Sequence, residues 1–230
     1  NVHCLNCKEK ISLYIINYLN KSNFIYMKIY WNKYYKLKRS PLSPSSFAKY
    51  CEKMYLKKNK KLLEIGCGNA RDSLFFNKKM NVTAIDKSDT IISKNISLNS
   101  KINFICLDIN KKKFFSLGKF EFIYARFFLH SINERLQNKL FNNIKNLCHK
   151  KKTLLMLEFR TIKDPLYQKG KKLSKYERIT DHYRRFINKD IFLNFLLKKN
   201  FKIIKIIEKK GLAKYKKDNP VVCRLIARSN

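Results

Sequence analysis

The chain has 230 residues, of which 45% are hydrophobic, and 52 Lys and Arg against 16 Asp and Glu give a formal net charge of +36. That length and apolar content support one globular domain with modest additions and exclude a disordered polymer. No apolar run is long enough for a membrane-spanning helix, so no membrane partner is expected.

The surplus charge favours anionic partners. Its lysines, however, fall in short runs at turns and helix ends (Lys57-Lys58, Lys111–Lys113, Lys150–Lys152) among abundant Asn and Ile. That pattern reads as compositional bias before a dedicated nucleic-acid surface. Seven cysteines, an odd number set mostly in apolar runs, suit reduced thiols in a cytoplasm. Cys4-Leu5-Asn6-Cys7 beside His3 lacks a second ligand pair, so no metal is expected.

In chain order, residues 1–26 do not follow the layout of a secretory signal and are expected to be a loosely attached extension, with one amphipathic helix over 8–26. Residues 27–56 form an N-terminal helical segment. In it Tyr30/Tyr34 and Trp31/Tyr35 stand four apart on one helical face. Such a helix either packs on a sheet edge or covers a site. Ser40 to Ser46 is a turn or linker, in which Ser45 or Ser46 can cap a helix to about Leu56.

The apolar run ending at Ile65 reads as a buried parallel strand. Gly66 and Gly68 then permit a tight turn and close approach of a ligand to the backbone. Asp72 or Ser73 can cap the next helix, expected through Lys78. Strands follow at 81–85 (ending at Asp86), 102–107 (ending at Asp108), 120–125 and 153–159, with helices at 88–97 and 133–148. A helix over 190–199 then precedes two strands, 201–209 and 221–227, joined as an antiparallel pair. Alternating strands and helices imply a parallel sheet with right-handed crossovers. The connection 160–187 is long for a loop, and such loops are commonly functional.

Glu64-Ile65-Gly66-Cys67-Gly68, Asp86 at the second strand's tip and Asp108 at the third's resemble the cofactor motifs of class I S-adenosylmethionine (SAM) dependent methyltransferases. The resemblance implies a Rossmann-like seven-stranded sheet, order 3-2-1-4-5-7-6 with strand 7 antiparallel, in a domain spanning 57–230 with a substrate-side insertion at 160–187. It implies SAM as cofactor, held by Glu64, Gly66, Cys67, Gly68, Arg71, Asp72, Asp86, Lys87, Asp108, Ile109, Arg126 and Phe127. Asp86 would accept the ribose hydroxyls, Asp108 would meet the adenine and Ile109 would pack on its ring. Arg71 and Asp72 would either bind the methionine end or form an ion pair.

Strand 4 leads into Tyr124-Ala125-Arg126-Phe127-Phe128-Leu129-His130, beside the transferred methyl in this family. It is neither the Asn/Asp-Pro-Pro-Tyr of amino-group methylases nor the Pro-Cys of cytosine C5 methylases. Both absences count against base-directed chemistry. Arg126 and His130 are the catalytic candidates, for holding an anion and removing a proton. Trp31, Tyr35, Glu158, Arg160, His182, Tyr183, Arg184 and Arg185 are the substrate-binding candidates. Arginine forks in a chain that prefers Lys suit phosphate or carboxylate recognition.

The expected function is O-methylation of a small anionic or sugar-derived acceptor. The alternatives are RNA methylation on the basic surface and SAM binding without catalysis. Pro44–Ala48, Gly66–Phe76, Ala125–Ile132, Glu158–Thr161 and Asp181–Phe186 further resemble a bacterial branch of small-molecule methyltransferases associated with surface-polysaccharide clusters.

Overall fold

The computed structural model describes residues 29–36, 41–99 and 101–230. The amphipathic segment 8–26 and the Cys4–Cys7 pair lie outside the described residues. Six helices are described: α1 (29–36), α2 (Ser46–Tyr55), α3 (Arg71–Phe76), α4 (Asp89–Leu98), α5 (Glu134–Asn143) and α6 (Lys189–Lys198). The strands are β1 (Lys61–Ile65), β2 (Asn81–Asp86), β3 (Asn103–Cys106), β4 (Phe122–Arg126), β5 (Leu154–Arg160), β6 (Lys171–Lys172), β7 (Glu177–Ile179), β8 (Tyr183–Arg185), β9 (Phe201–Lys209) and β10 (Val222–Ser229).

Seven strands form one sheet in the order β3-β2-β1-β4-β5-β10-β9. The first five run parallel, and β10 is antiparallel to both β5 and β9. This is the expected order and reversal. In β1, four of five residues are buried because helices cover both faces. Adjacent residues therefore serve opposite cores. Leu63 and Ile65 join Ile123, Leu157, Phe159 and the α5 and α6 residues Phe141, Phe192 and Leu196. Leu62 joins Val82, Ala84, Tyr124 and Met156 under Phe47 and Cys51 of α2 and Phe76 of α3.

Several local expectations are corrected. The helix after the glycine turn ends at Phe76, not Lys78. Its N-cap is Ala70, left-handed at φ 59°, and no side chain caps it. Asp72 and Ser73 do not cap because both side chains turn into the core: Asp72 to Ser45 and Tyr124, Ser73 to Glu64. The helix expected over 133–148 stops at Asn143 and tightens into a 3-10 turn, Ile144–Leu147. The long connection 160–187 is not a loop throughout, since β6, β7 and β8 make a small antiparallel sheet within it. Ser45 caps α2 as expected, its hydroxyl accepting from Ala48 N.

Candidate active site

The site forms where β1, β2, β3 and β4 end side by side, the position at which open α/β sheets bind ligands. At the tip of β1, the N–H groups of Gly66 and Cys67 both donate to Ile85 O, at 2.8 and 3.0 Å. This folds the chain back over β2. Gly66 has φ 75° and Gly68 φ 52°, conformations costly for side-chain-bearing residues. A Cβ on Gly66 would stand 2.8 Å from Phe128 Cδ2, and one on Gly68 would stand 2.7 Å from the Tyr35 hydroxyl. At both glycines the backbone of this cradle lies directly against a neighbouring side chain, so there is no room for a Cβ.

Asp86 holds that cradle from β2. Its Oδ2 accepts from Gly68 N at 3.1 Å and its Oδ1 from Ser88 N at 3.0 Å. Burial raises its pKa, while these N–H donors oppose the shift. Asn95 of α4, fully buried, donates from Nδ2 to Gly68 O at 2.8 Å. The sequence reading missed Asn95, because an Asn inside a helix carries no mark of its tertiary partner.

The hollow beside the cradle has a volume of about 680 Å³. Glu64, Gly66, Cys67, Gly68, Arg71, Asp72, Asp86, Lys87, Asp108, Ile109, Arg126 and Phe127, the whole expected cofactor set, line it. So do His130, Trp31, Tyr35, Arg160, His182 and Arg184. Asp86 and Asp108 therefore border one cavity with Gly66. Cys67 is buried and its thiol is pushed well up, first by burial and then by Asp86, so it is no thiolate nucleophile.

Three expected substrate contacts are absent from the wall. Glu158 is fully buried beneath it, its Oε1 accepting from Arg126 Nε at 2.7 Å and its Oε2 from Arg224 Nε at 2.6 Å. Tyr183 is turned to Glu177 at 2.5 Å. Arg185 donates to Ile132 O at 3.0 Å, Leu129 O at 3.4 Å and Gln137 Oε1 at 2.6 Å, so its fork braces the β4–α5 connection and no anion. Asp72 borders the hollow, yet its carboxylate accepts from Ser45 N and Oγ, both 2.7 Å, and from the Tyr124 hydroxyl at 2.8 Å. It is a clamp between α3, α2 and β4.

The arginines on the wall are engaged by acids. Arg160 pairs with Asp164 at 3.0 Å and with Asp218, and Arg184 pairs with Asp181 and Thr180. Arg126 uses only Nε on Glu158 and lies 4.1 Å over the Phe127 ring. Burial opposes its charge, but Glu158 together with Tyr124 and Asp72 outweighs that and raises its pKa. Burial and then Arg126 lower the pKa of Arg71. Glu64, which accepts from Ser73 Oγ, has its pKa raised by burial and then by Asp72. His130 is held neutral, its pKa well below the ordinary value because of burial and then Arg160 and Arg184. Its Nδ1 accepts weakly from Arg160 N at 3.4 Å, which places the ring proton on Nε2.

Helix α1 spans the mouth. The Tyr30 ring packs tilted against His182 with centroids 4.7 Å apart, and its hydroxyl donates to Asp181 Oδ2 at 3.2 Å. Asn32 Oδ1 accepts from Ser88 Oγ at 2.6 Å, and Lys94 Nζ donates to Tyr35 O at 3.2 Å. The aromatic face read from the i,i+4 spacing therefore points into the hollow. Tyr215, Lys216 and Asp218 of the β9–β10 connection also reach the wall and were missed, because only strand pairing brings that connection there.

The sheet order, the reversed β10 and the ligand position at the carboxyl ends of β1 to β4 define the fold of the class I SAM-dependent methyltransferases. A family model described as "Methyltransferase domain" matches residues 38–206, and the chain belongs to that family. Among similar solved structures is a SAM-dependent methyltransferase from Methanosarcina mazei, with 16% identity and TM-score 0.65, covering 76% of this chain and 94% of that one. The glycopeptide N-methyltransferase MtfA complexed with S-adenosyl-L-homocysteine matches at 12% identity and TM-score 0.63, covering 82% and 90%. The [4+2]-cyclase SpnF matches at 15% and 0.59, covering 80% and 79%. A fold that includes a cyclase does not by itself assign a reaction. No curated protein sequence matches significantly.

Proposed function

We propose that this chain transfers the methyl group of SAM to an oxygen of a small anionic or sugar-derived acceptor. The observation that carries the reading is the Asp86 carboxylate bonded to Gly68 N at the Gly66–Gly68 turn on the wall of the hollow. Residues Gly66 to Gly68 would pack on the methionine part, Asp86 would take the ribose hydroxyls, and Asp108 with Ile109 would bracket the adenine. Arg71 and Arg126 supply positive charge for the methionine carboxylate. When bound, SAM supplies an electrophilic methyl on a sulfonium.

The chain's own work is alignment in a near-attack geometry and exclusion of water. Trp31, Tyr30, Tyr34 and His182 offer flat faces for a sugar ring, and Asp181, Asp218 and Arg160 offer hydrogen bonds for its hydroxyls. Because Arg160 and Arg184 are already paired with acids, the wall favours a hydroxyl-rich acceptor over a strongly anionic one. His130 is the general-base candidate. To take a proton at Nδ1 it must give up the weak bond from Arg160 N. We assign α1 the role of a lid, residues 57–230 the catalytic domain and 160–187 its substrate-side insertion. The buried thiols of Cys51, Cys67, Cys148 and Cys223 support a cytoplasmic location.

Calorimetry of SAM with Asp86→Ala tests the cofactor assignment, and unchanged affinity removes Asp86 from the site. Labelled-methyl transfer to neutral sugars, sugar phosphates and RNA then tests the acceptor. Turnover on RNA alone replaces the small-molecule reading.

A further inference from the structure

In a parallel sheet the loops that precede each strand all lie on one edge, opposite the hollow. Here each carries exposed lysine: Lys60 before β1, Lys78 before β2, Lys101 before β3, Lys119 before β4, Lys151 before β5, and Lys202 at the start of β9. Two of these loops are runs, Lys57-Lys58-Asn59-Lys60-Lys61 and Lys150–Lys152, exposed throughout.

Acids are segregated the other way. Among the described residues only Glu52 and Glu121 lie on this rim. Glu52 pairs with Lys79, while Glu121 accepts from Lys61 N at 2.9 Å and stands 3.8 Å from His149. The remaining described acids lie towards the hollow or at helix N-termini on the opposite edge, such as Asp86, Asp108 and Asp190. Exposed lysine runs occur on both edges, Lys111–Lys113 and Lys171-Lys172 among them on the hollow side, but only on the rim do they stand with almost no acid beside them. Complementing helix C-termini explains single lysines in last turns, such as Lys53 and Lys198. It does not explain the runs in the loops.

The same edge exposes apolar side chains at the ends of three helices: Met54 at 56%, Leu98 at 61% and Leu197 at 53%. No aromatic side chain among the described residues of these loops is exposed, so there is no stacking platform for unpaired bases. We propose that this rim docks the protein peripherally on an anionic lipid bilayer, lysines against the headgroups and Met54, Leu98 and Leu197 in the boundary region. No described helix is long and apolar enough to cross a membrane. The strands hold the hollow on the far side, open to solvent.

The test is co-sedimentation of the full chain with vesicles of phosphatidylcholine alone or with roughly one-third phosphatidylglycerol, at about 0.1 M salt. Binding to the anionic vesicles only, weakening as salt rises, is expected. The rim variant Lys57→Gln/Lys58→Gln/Lys150→Gln/Lys152→Gln should lose about tenfold or more. A control, Lys171→Gln/Lys172→Gln/Lys175→Gln/Lys210→Gln, removes equal charge from the opposite edge and should retain affinity. Leu98→Gln/Leu197→Gln should weaken binding with all lysines present. Equal loss in rim and control variants overturns the proposal, as does no preference for anionic vesicles. Tighter binding to an RNA duplex that depends on the rim lysines and ignores Leu98 and Leu197 also overturns it and makes nucleic acid the partner.

Discussion

Asp72 gives the sharpest test of how α3 is held against α2 and β4. Its buried carboxylate accepts three bonds, from Ser45 N, Ser45 Oγ and the Tyr124 hydroxyl. In Asp72→Ala, Ser45 Oγ keeps its cap bond to Ala48 N, and Tyr124 keeps a longer 3.2 Å contact with Ser45 Oγ. Ser45 N loses its partner and the two hydroxyls lose the stronger acceptor. Bonds to a charged group contribute about 1.5–3 kcal/mol each. Allowing for the surviving contact, the loss should be about 3–5 kcal/mol. Asp72→Asn keeps the shape, and its amide can donate to either hydroxyl, so about 1–2 kcal/mol is expected. Urea unfolding read by far-UV circular dichroism gives both values, provided the slope is unchanged. An alanine variant within about 1 kcal/mol of wild type would refute the clamp. If SAM affinity collapsed in that variant as well, Asp72 would be a ligand-binding group.

Glu158→Gln should leave Arg126 and Arg224 without their shared carboxylate; a loss of about 3–5 kcal/mol is expected, checked by denaturant titration. Gly66→Ala meets both a left-handed φ and the Phe128 ring, so a lower melting temperature and weaker SAM binding are expected, read by thermal scan and calorimetry. Arg185→Ala should destabilise by about 2–4 kcal/mol while leaving the acceptor KM of the folded protein near wild type, because the guanidinium braces backbone carbonyls. His130 has a lowered pKa, so below its ordinary value of 6.5 the unfolded chain takes up a proton that the native chain refuses. Its share of stability is full above that pH and falls as pH drops. His130→Gln should therefore lose less stability than wild type between pH 7.5 and 5.5, measured by urea midpoints, and an identical loss would contradict the shift.

Much of the architecture was legible in the residue order. Leu62-Leu63 before Gly66, the acids at the tips of β2 and β3, and the pair of strands after α6 carry local signals: burial on both faces, turn chemistry and a missing crossover helix. These determine topology because a strand's apolar pattern and its connection length leave few arrangements. The aromatic face of α1 was equally readable from its spacing.

Side-chain partners were decided only by the tertiary structure. Glu158 and Arg185 carry the residue types of a ligand site, yet the fold gives Glu158 to Arg126 and Arg224, and Arg185 to carbonyls of the β4–α5 connection. Asp72 stands where a helix cap belongs, yet Ser45, 27 residues earlier, captures it. A charge in a sequence advertises what it can bond, and which donor reaches it first depends on distances set when distant segments pack.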